Sequence, residues 1–160
     1  MDLLSIPYYL EGNVREVPDL EVLQKDLKGG FDAAYDECLD ELTKTKLSAA
    51  EKKDDKGAAV SIYDEEIVVE YPGFLVRKAD AVKEVGKIIG QYKIPFGKFH
   101  RISKDIVNNY AINKGKVDMS FLEQKGEKIA FFLEEGKTTV FSIYRNTDQG
   151  VYEFVFAVKP

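Results

Sequence analysis

The last third of the chain alternates between apolar and polar positions with the period of two that is typical of β-strands. Its four runs are "KVDMSFL" (116–122), "KIAFFLE" (128–134), "KTTVFSIY" (137–144) and "VYEFVFAV" (151–158). The connections are short, and only Glu135-Gly136 separates the second run from the third, which favours a tight hairpin. Short connections force antiparallel neighbours, so we predict a four-stranded antiparallel meander. The last two strands are apolar on both faces, and we therefore expect helices against this sheet.

The first part of the chain follows the helical period instead. Two helices are predicted, over 17–30 and 31–44, with Gly29-Gly30 ending the first. Their apolar stripes consist of Leu20, Leu23 and Leu27, and of Phe31, Tyr35, Cys38 and Leu42. The second stripe places Cys38 among the buried positions.

The middle of the chain mixes both periods. Residues 48–57 contain almost no apolar side chain, and we interpret them as a flexible internal segment, with Ser48 and Glu51 at capping-box spacing. "AAVSIY" (58–63) and "IVVEY" (67–71) predict a β-hairpin. Helices are predicted over 79–92, where Val82, Val85, Ile89 and Tyr92 share a face, and over 103–112, with Ser103 as N-cap and with Ile106, Val107 and Tyr110 facing inward.

These elements predict an α+β fold: N-terminal helices and a β-hairpin, followed by a C-terminal four-stranded antiparallel meander packed on helices. The chain has 160 residues, which is enough for one domain with a full core and short for two. We therefore expect a single domain over residues 1–160.

The composition narrows the class of protein further. One cysteine allows no internal disulfide, and no apolar run approaches the ~20 residues of a membrane span. Asp2 and the absence of a basic N-terminal region argue against a secretory signal, so a cytoplasmic protein without a membrane partner is expected. One Cys and one His make no usual zinc site, and no phosphate-binding or dinucleotide-binding glycine loop is present. We expect no metal and no cofactor.

Charge is segregated along the chain, although the net charge is only −5. Residues 74–116 contain ten bases against three acids. A polyanion-binding patch is predicted from Lys93, Lys98, Arg101, Lys104, Lys114 and Lys116. The aromatic side chains among them, such as Phe96 and Phe99, suit stacking on single-stranded nucleic acid, or else they anchor a loop to the core. Neutralisation of the basic half by the acidic half is the ordinary alternative.

An acidic stripe is a second candidate for a binding surface, with the opposite charge. Residues of the predicted helix 31–44 repeat a carboxylate every four positions, and the set consists of Asp32, Asp36, Glu37, Asp40 and Glu41. Like charges at this spacing repel each other, so the stripe is a hypothesis for binding a basic partner. A solvated helix face explains the same pattern.

His100 is the one catalytic candidate, because it is the only histidine and imidazole titrates near neutrality. No nucleophile or orienting group accompanies it in a recognisable motif. We therefore favour a non-catalytic binding or regulatory protein, such as an inhibitor or adaptor, that acts through a charged surface on another macromolecule. Another protein is the expected partner, with nucleic acid as the option for residues 93–116. The alternative is a small-molecule-binding domain or small hydrolase with a pocket between the antiparallel sheet and the helices.

Overall fold

The two ends of the chain form one compact unit, and the middle of the chain forms another. The computed structural model describes residues 6–44, 49–53, 56–78, 81–134, 137–148 and 150–160. Its contacts form two compact units: unit 1 comprises Met1–Pro18 with Ile94–Pro160, and unit 2 comprises Asp19–Lys93. The elements are β1 (Tyr8–Glu11), β2 (Val14–Arg15), α1 (Leu20–Lys44), β3 (Ala49–Lys52), β4 (Ala59–Ile62), β5 (Ile67–Tyr71), β6 (Phe74–Lys78), β7 (Ala81–Val85), β8 (Ile88–Tyr92), α2 (Phe96–Ile112), α3 (Met119–Glu123), β9 (Lys128–Glu134), β10 (Thr138–Thr147) and β11 (Gly150–Lys159).

The mixture of helices and antiparallel sheets confirms the α+β class. In unit 1 a five-stranded sheet has the order β2-β1-β11-β10-β9. Strands β9, β10 and β11 are antiparallel neighbours, whereas β1 joins β11 in parallel. The C-terminal meander therefore has three strands. The Glu135-Gly136 connection lies outside the described residues.

The first predicted strand of the meander, residues 116–122, is wrong because its second half forms the short helix α3. The Asp118 carboxylate accepts a hydrogen bond from the backbone N–H of Phe121 at 3.1 Å, which caps the helix. Leu122 is buried by the turn that follows from this cap. A side-chain cap and a helical turn thus override the alternation of apolar positions, which over seven residues fits both structures.

The core of unit 1 lies between α2 and one face of this sheet. Four aromatic rings, one from each of four neighbouring strands, form a row across that face: Tyr9, Phe156, Phe141 and Phe131. Tyr110 of α2 meets the Phe141 ring edge-on, with 6.2 Å between the ring centroids. Ile106, Val107 and Tyr110 are buried, as their spacing predicts.

Helix α2 begins seven residues earlier than predicted, so Ser103 is not its N-cap. Ser103 lies inside the helix and is fully buried. Its hydroxyl donates a hydrogen bond to the His100 carbonyl at 2.7 Å, which satisfies the only polar group of the side chain. The pattern of a serine before an apolar run therefore predicted the start of the helix at the wrong residue.

In unit 2 the two predicted N-terminal helices are a single helix. Helix α1 runs for 25 residues and passes through Gly29 and Gly30. Neither glycine has the positive φ of a helix end. The helix is anchored by its second half, where the Tyr35 hydroxyl donates a hydrogen bond to the Gly73 carbonyl at 2.9 Å and the Tyr35 ring stacks on Tyr71.

Cys38 is exposed, which corrects its predicted place on the buried stripe. Tyr35 and Leu39 are the buried side chains of this half of α1. The buried stripe continues from Tyr35 to Leu39, four positions later. Cys38 therefore lies outside the stripe.

The predicted helix over 79–92 is also wrong. Its described part, from residue 81 onwards, contains the two strands β7 and β8. Strand β7 pairs with β6 in the sheet β3-β6-β7, and β8 pairs with β5 in the sheet β4-β5-β8. Val82 and Ile89 are more than half exposed, so the helical spacing of apolar residues did not mark a buried face. Pairing with partners distant in sequence decides the structure here.

The hairpin predicted over 58–71 is confirmed as β4 and β5, which are antiparallel. Within the predicted flexible segment, Ala49–Lys52 form β3 against β6. Ser48, Asp54 and Asp55 lie outside the described residues. The single-domain interpretation remains a prediction beside the two compact units.

We expect Gly29→Ala and Gly30→Ala each to raise the free energy of unfolding by about 0.5–1 kcal/mol. A Cβ at either position would meet no atom within 4 Å, and alanine loses less backbone entropy than glycine when the helix forms. Urea unfolding followed by circular dichroism checks this. Destabilisation by either substitution would contradict one continuous helix through residues 29–30.

Candidate functional site

The six predicted patch residues separate into three groups. Lys93 belongs to unit 2, whereas the other five belong to unit 1. Lys98 is an internal ion-pair partner, because its Nζ lies 2.6 Å from Oε1 of Glu127. Arg101, Lys104, Lys114 and Lys116 remain on the outside of α2 and on the loop that follows it.

Glu127 gives Lys98 a structural role. Its side chain is only 5% exposed and also accepts hydrogen bonds from Arg145 on both carboxylate oxygens. Burial disfavours the charged carboxylate, but the hydrogen bonds and charges of Arg145 and Lys98 outweigh burial, so the pKa of Glu127 lies below its ordinary value. This ion-pair cluster connects α2, the segment before β9, and β10.

The outward face of α2 carries a line of basic and amide side chains. Arg101 and Lys104 are one turn apart, and Asn108 follows after another turn. Arg15 of β2 donates a hydrogen bond from its guanidinium to the Asn108 amide oxygen at 2.7 Å, which adds a cation to the line. The acid within it, Asp105, is paired with Lys125 at 2.7 Å.

A cleft of about 390 Å³ lies where this line ends, between the β1–β2 turn and the C-terminal end of α2. Arg15 and Lys114 line it, and no acidic side chain does so in the part of the chain that the structure describes. The described residues that line it are Leu10, Gly12, Asn13, Arg15, Tyr110, Ala111, Lys114, Gly115 and Pro160. A second depression of about 450 Å³ includes Lys114 and Lys116 together with Asp118. We call Arg15, Arg101, Lys104, Lys114 and Lys116 the basic surface.

Lys114 occupies a backbone conformation that favours glycine. Its φ is 53°, and the N–H groups of Lys114 and Gly115 donate to the carbonyls of Ala111 and Tyr110, which is the Schellman pattern for ending a helix. The left-handed position of this motif is usually glycine, because a Cβ there is strained. The chain instead has a lysine at the rim of the cleft. The other non-glycine residue with positive φ among those described is Lys137, which immediately precedes β10.

The aromatic residues interleaved with the basic ones face the interior. Phe99 and Tyr110 are buried, and Phe96 meets Phe154 edge-on at 5.7 Å between centroids. The Tyr110 hydroxyl lies 3.0 Å from the Thr139 hydroxyl and shares a hydrogen bond with it. These three rings therefore anchor α2 and are not themselves exposed as a stacking platform for bases.

The acidic stripe divides into two parts. Asp32 accepts hydrogen bonds from the Ala58 N–H and from Lys28, both at 2.5 Å, and Asp36 pairs with Lys52 at 2.5 Å. Burial opposes ionisation of Asp32, but these hydrogen bonds outweigh it and lower its pKa. Glu37, Asp40 and Glu41 are exposed. Two of the five carboxylates thus hold α1 to the strands of unit 2.

His100 is buried, and its Nε2 lies 2.7 Å from the Pro18 carbonyl oxygen, to which the ring N–H donates. Neither cleft includes His100. Among the described residues, no three His, Cys, Asp or Glu side chains are grouped as metal ligands would be. The helices of the described part of the chain are all too short or too polar to cross a membrane.

Comparison with known proteins adds no family to this picture. No protein-family model, curated protein or solved structure matches the chain.

Sequence reasoning missed Arg15 and Glu127. Arg15 follows Gly12-Asn13, a two-residue turn with positive φ at the glycine, and that turn signal would have predicted the β1–β2 hairpin. Glu127 has no signal of this kind, because its role depends on Lys98 and Arg145, which are distant in sequence.

We expect Glu127→Gln to lower the free energy of unfolding at pH 7 by about 1–3 kcal/mol, because it leaves two cations around a neutral amide. The folded-state pKa of Glu127 is lowered, so its contribution is complete above the unfolded value of about 4.3 and is lost as the pH falls through the folded value. Urea unfolding from pH 7 down to pH 3 should show the variant approaching the wild type. A difference that stays constant over this range would contradict the assignment.

Proposed function

We propose that the chain is a non-catalytic binding protein whose basic surface in unit 1 engages an acidic segment of another protein. The cations of this surface lie along about 10 Å of α2, from Arg101 to Asn108 with Arg15, and continue to the cleft. Two carboxylates close to these cations in the sequence or fold are paired with other side chains, Asp105 with Lys125 and Glu127 with Lys98 and Arg145. The five basic residues thus concentrate positive formal charge on this surface, although the formal charges of unit 1 as a whole sum to zero.

Lys114 is the observation that carries this proposal. Local conformational energy favours glycine at its position, and residues in strained backbone conformations are enriched at functional sites. A lysine there places an ammonium group at the rim of a cleft whose described lining contains no acidic residue. Binding of a carboxylate-rich segment uses this charge, whereas folding alone does not require it.

A protein segment is favoured over single-stranded nucleic acid as the partner. Nucleic-acid surfaces of this kind combine cations with aromatic rings on which bases stack. The rings next to the cations are held in the core by their contacts with Phe154, Phe141 and Thr139. Carboxylates need only the cations and the amide groups of Asn108 and Asn13.

Binding of a basic partner by the acidic stripe is less well supported, since Asp32 and Asp36 are engaged within unit 2. The alternative of a small-molecule site is supported by the 390 Å³ cleft. That alternative predicts a small carboxylate or phosphate as ligand, and it places no role on Arg101 and Lys104, which do not line the cleft.

We expect Arg101→Glu with Lys104→Glu to weaken binding of a fluorescent oligoglutamate peptide at least about tenfold, because two attractive surface pairs of ~0.2–1 kcal/mol each become repulsive. Fluorescence anisotropy at low salt and at about 0.15 M salt measures this. Lys25→Glu with Lys83→Glu, two exposed positions of unit 2, is the control with the same change in charge. Equal losses for both variants, or tighter binding of a single-stranded oligonucleotide by the wild type, would count against the proposal.

The substitution Lys114→Gly tests the contribution of Lys114 to binding separately from its effect on stability. Removal of the Cβ strain should raise the free energy of unfolding by about 0.5–1 kcal/mol. The same substitution removes one cation and should weaken peptide binding about threefold, equivalent to ~0.7 kcal/mol. A variant that is more stable and binds the peptide as tightly as the wild type would exclude Lys114 from the interface.

A further inference from the structure

The outer edge of the five-stranded sheet in unit 1 is a long apolar strand. Strand β9, with the sequence KIAFFLE, is the last in the order, and no strand in the described part of the chain pairs with its outer side. Phe132 is 52% exposed and Leu133 is 71% exposed. Backbone N–H and C=O groups on such an edge are a template for another strand.

The usual protections of an edge strand are missing from its centre. The five residues from Ile129 to Leu133 contain no charge and no proline, and pairing with β10 is continuous without a bulge. The only charged side chains of the strand are Lys128 at its start and Glu134 at its end, and both are exposed.

The strand is complementary to itself when it is inverted. In an antiparallel pair centred on Phe131, Lys128 lies opposite Glu134 of a second copy, and Glu134 lies opposite its Lys128. Ile129 then faces Leu133, and the small Ala130 faces the large Phe132. Directly opposed residues share a face of the sheet, so both ion pairs form on the face that carries Ala130 and Phe132. A parallel arrangement in register would instead place like charges side by side.

The opposite edge of the sheet does not offer a second such surface. Strand β2 has only two residues, and Arg15 within it is engaged with Asn108. Association through β9 therefore closes as a twofold pair and does not continue into a filament.

We propose that β9 is a dimerisation strand: two copies of this chain pair their β9 strands antiparallel about Phe131 and join two five-stranded sheets into one. The twofold axis is normal to the sheet, so α2 of both copies lies on the same side. This inference is independent of the acidic partner proposed above, since no residue of the basic surface belongs to β9.

The decisive experiment is a charge swap, followed by sedimentation equilibrium of the full chain from about 1 to 100 μM. Lys128→Glu and Glu134→Lys, each alone, convert both ion pairs of the dimer into like-charge pairs. Each should raise the dimer dissociation constant about tenfold. The double variant restores both pairs with their signs exchanged and should dimerise within about threefold of the wild type. Lys83→Glu and Asp148→Lys, at exposed positions outside β9, are the matched controls and should leave dimerisation unchanged.

Three results would overturn the proposal: a wild-type chain that is monomeric throughout this range, larger open-ended species, or a double variant that fails to regain dimerisation. If the wild type is monomeric, the outer edge of β9 would be available for pairing only with a strand of a different protein. Circular dichroism of each variant establishes that the fold is intact, which is expected because both substituted side chains are exposed.

Discussion

The row of aromatic rings across the sheet of unit 1 is the contact on which the rest of that unit depends. Tyr9 stacks on Phe156 at 5.2 Å, Phe156 stacks on Phe141 at 5.4 Å, and Phe141 meets Phe131 at 5.9 Å between centroids. Each ring comes from a different strand, so the row fixes the register of four strands at once. Helix α2 packs on this row, and α2 and the loop after it carry four of the five residues of the basic surface.

A buried ion-pair cluster fixes the orientation of α2 on this apolar framework. Glu127 holds Lys98 near the start of α2 and Arg145 on β10, so the helix cannot rotate on the sheet without leaving a buried carboxylate unpaired. In unit 2, Asp36 connects α1 to Lys52 of β3, and Asp32 connects α1 to the Ala58 amide. Several side chains that look like a binding surface in the sequence are therefore parts of the fold.

Two of the wrong secondary-structure predictions share one physical cause. Gly29-Gly30 has the composition of a helix end, yet α1 continues because Tyr35 and Leu39 are buried by the strands of unit 2. Residues 81–92 have helical spacing, yet β6 and β5 provide ladders that the segment completes as β7 and β8. In both places the free energy of long-range pairing exceeds local propensities of a few tenths to about 1 kcal/mol.

The sequence by itself determined the α+β class, the hairpin β4–β5, the three C-terminal strands and the inward side of α2, because each depends on a local period or turn. It also predicted the run of basic residues within 93–116, although it began the helix at residue 103 and so left Lys98 and Arg101 outside it. Only the tertiary structure decided which charges are engaged: Lys98 with Glu127, Asp36 with Lys52, and Arg15 beside Asn108. Ion pairs and strand order join residues that are distant along the chain, and no local pattern encodes the distance between them.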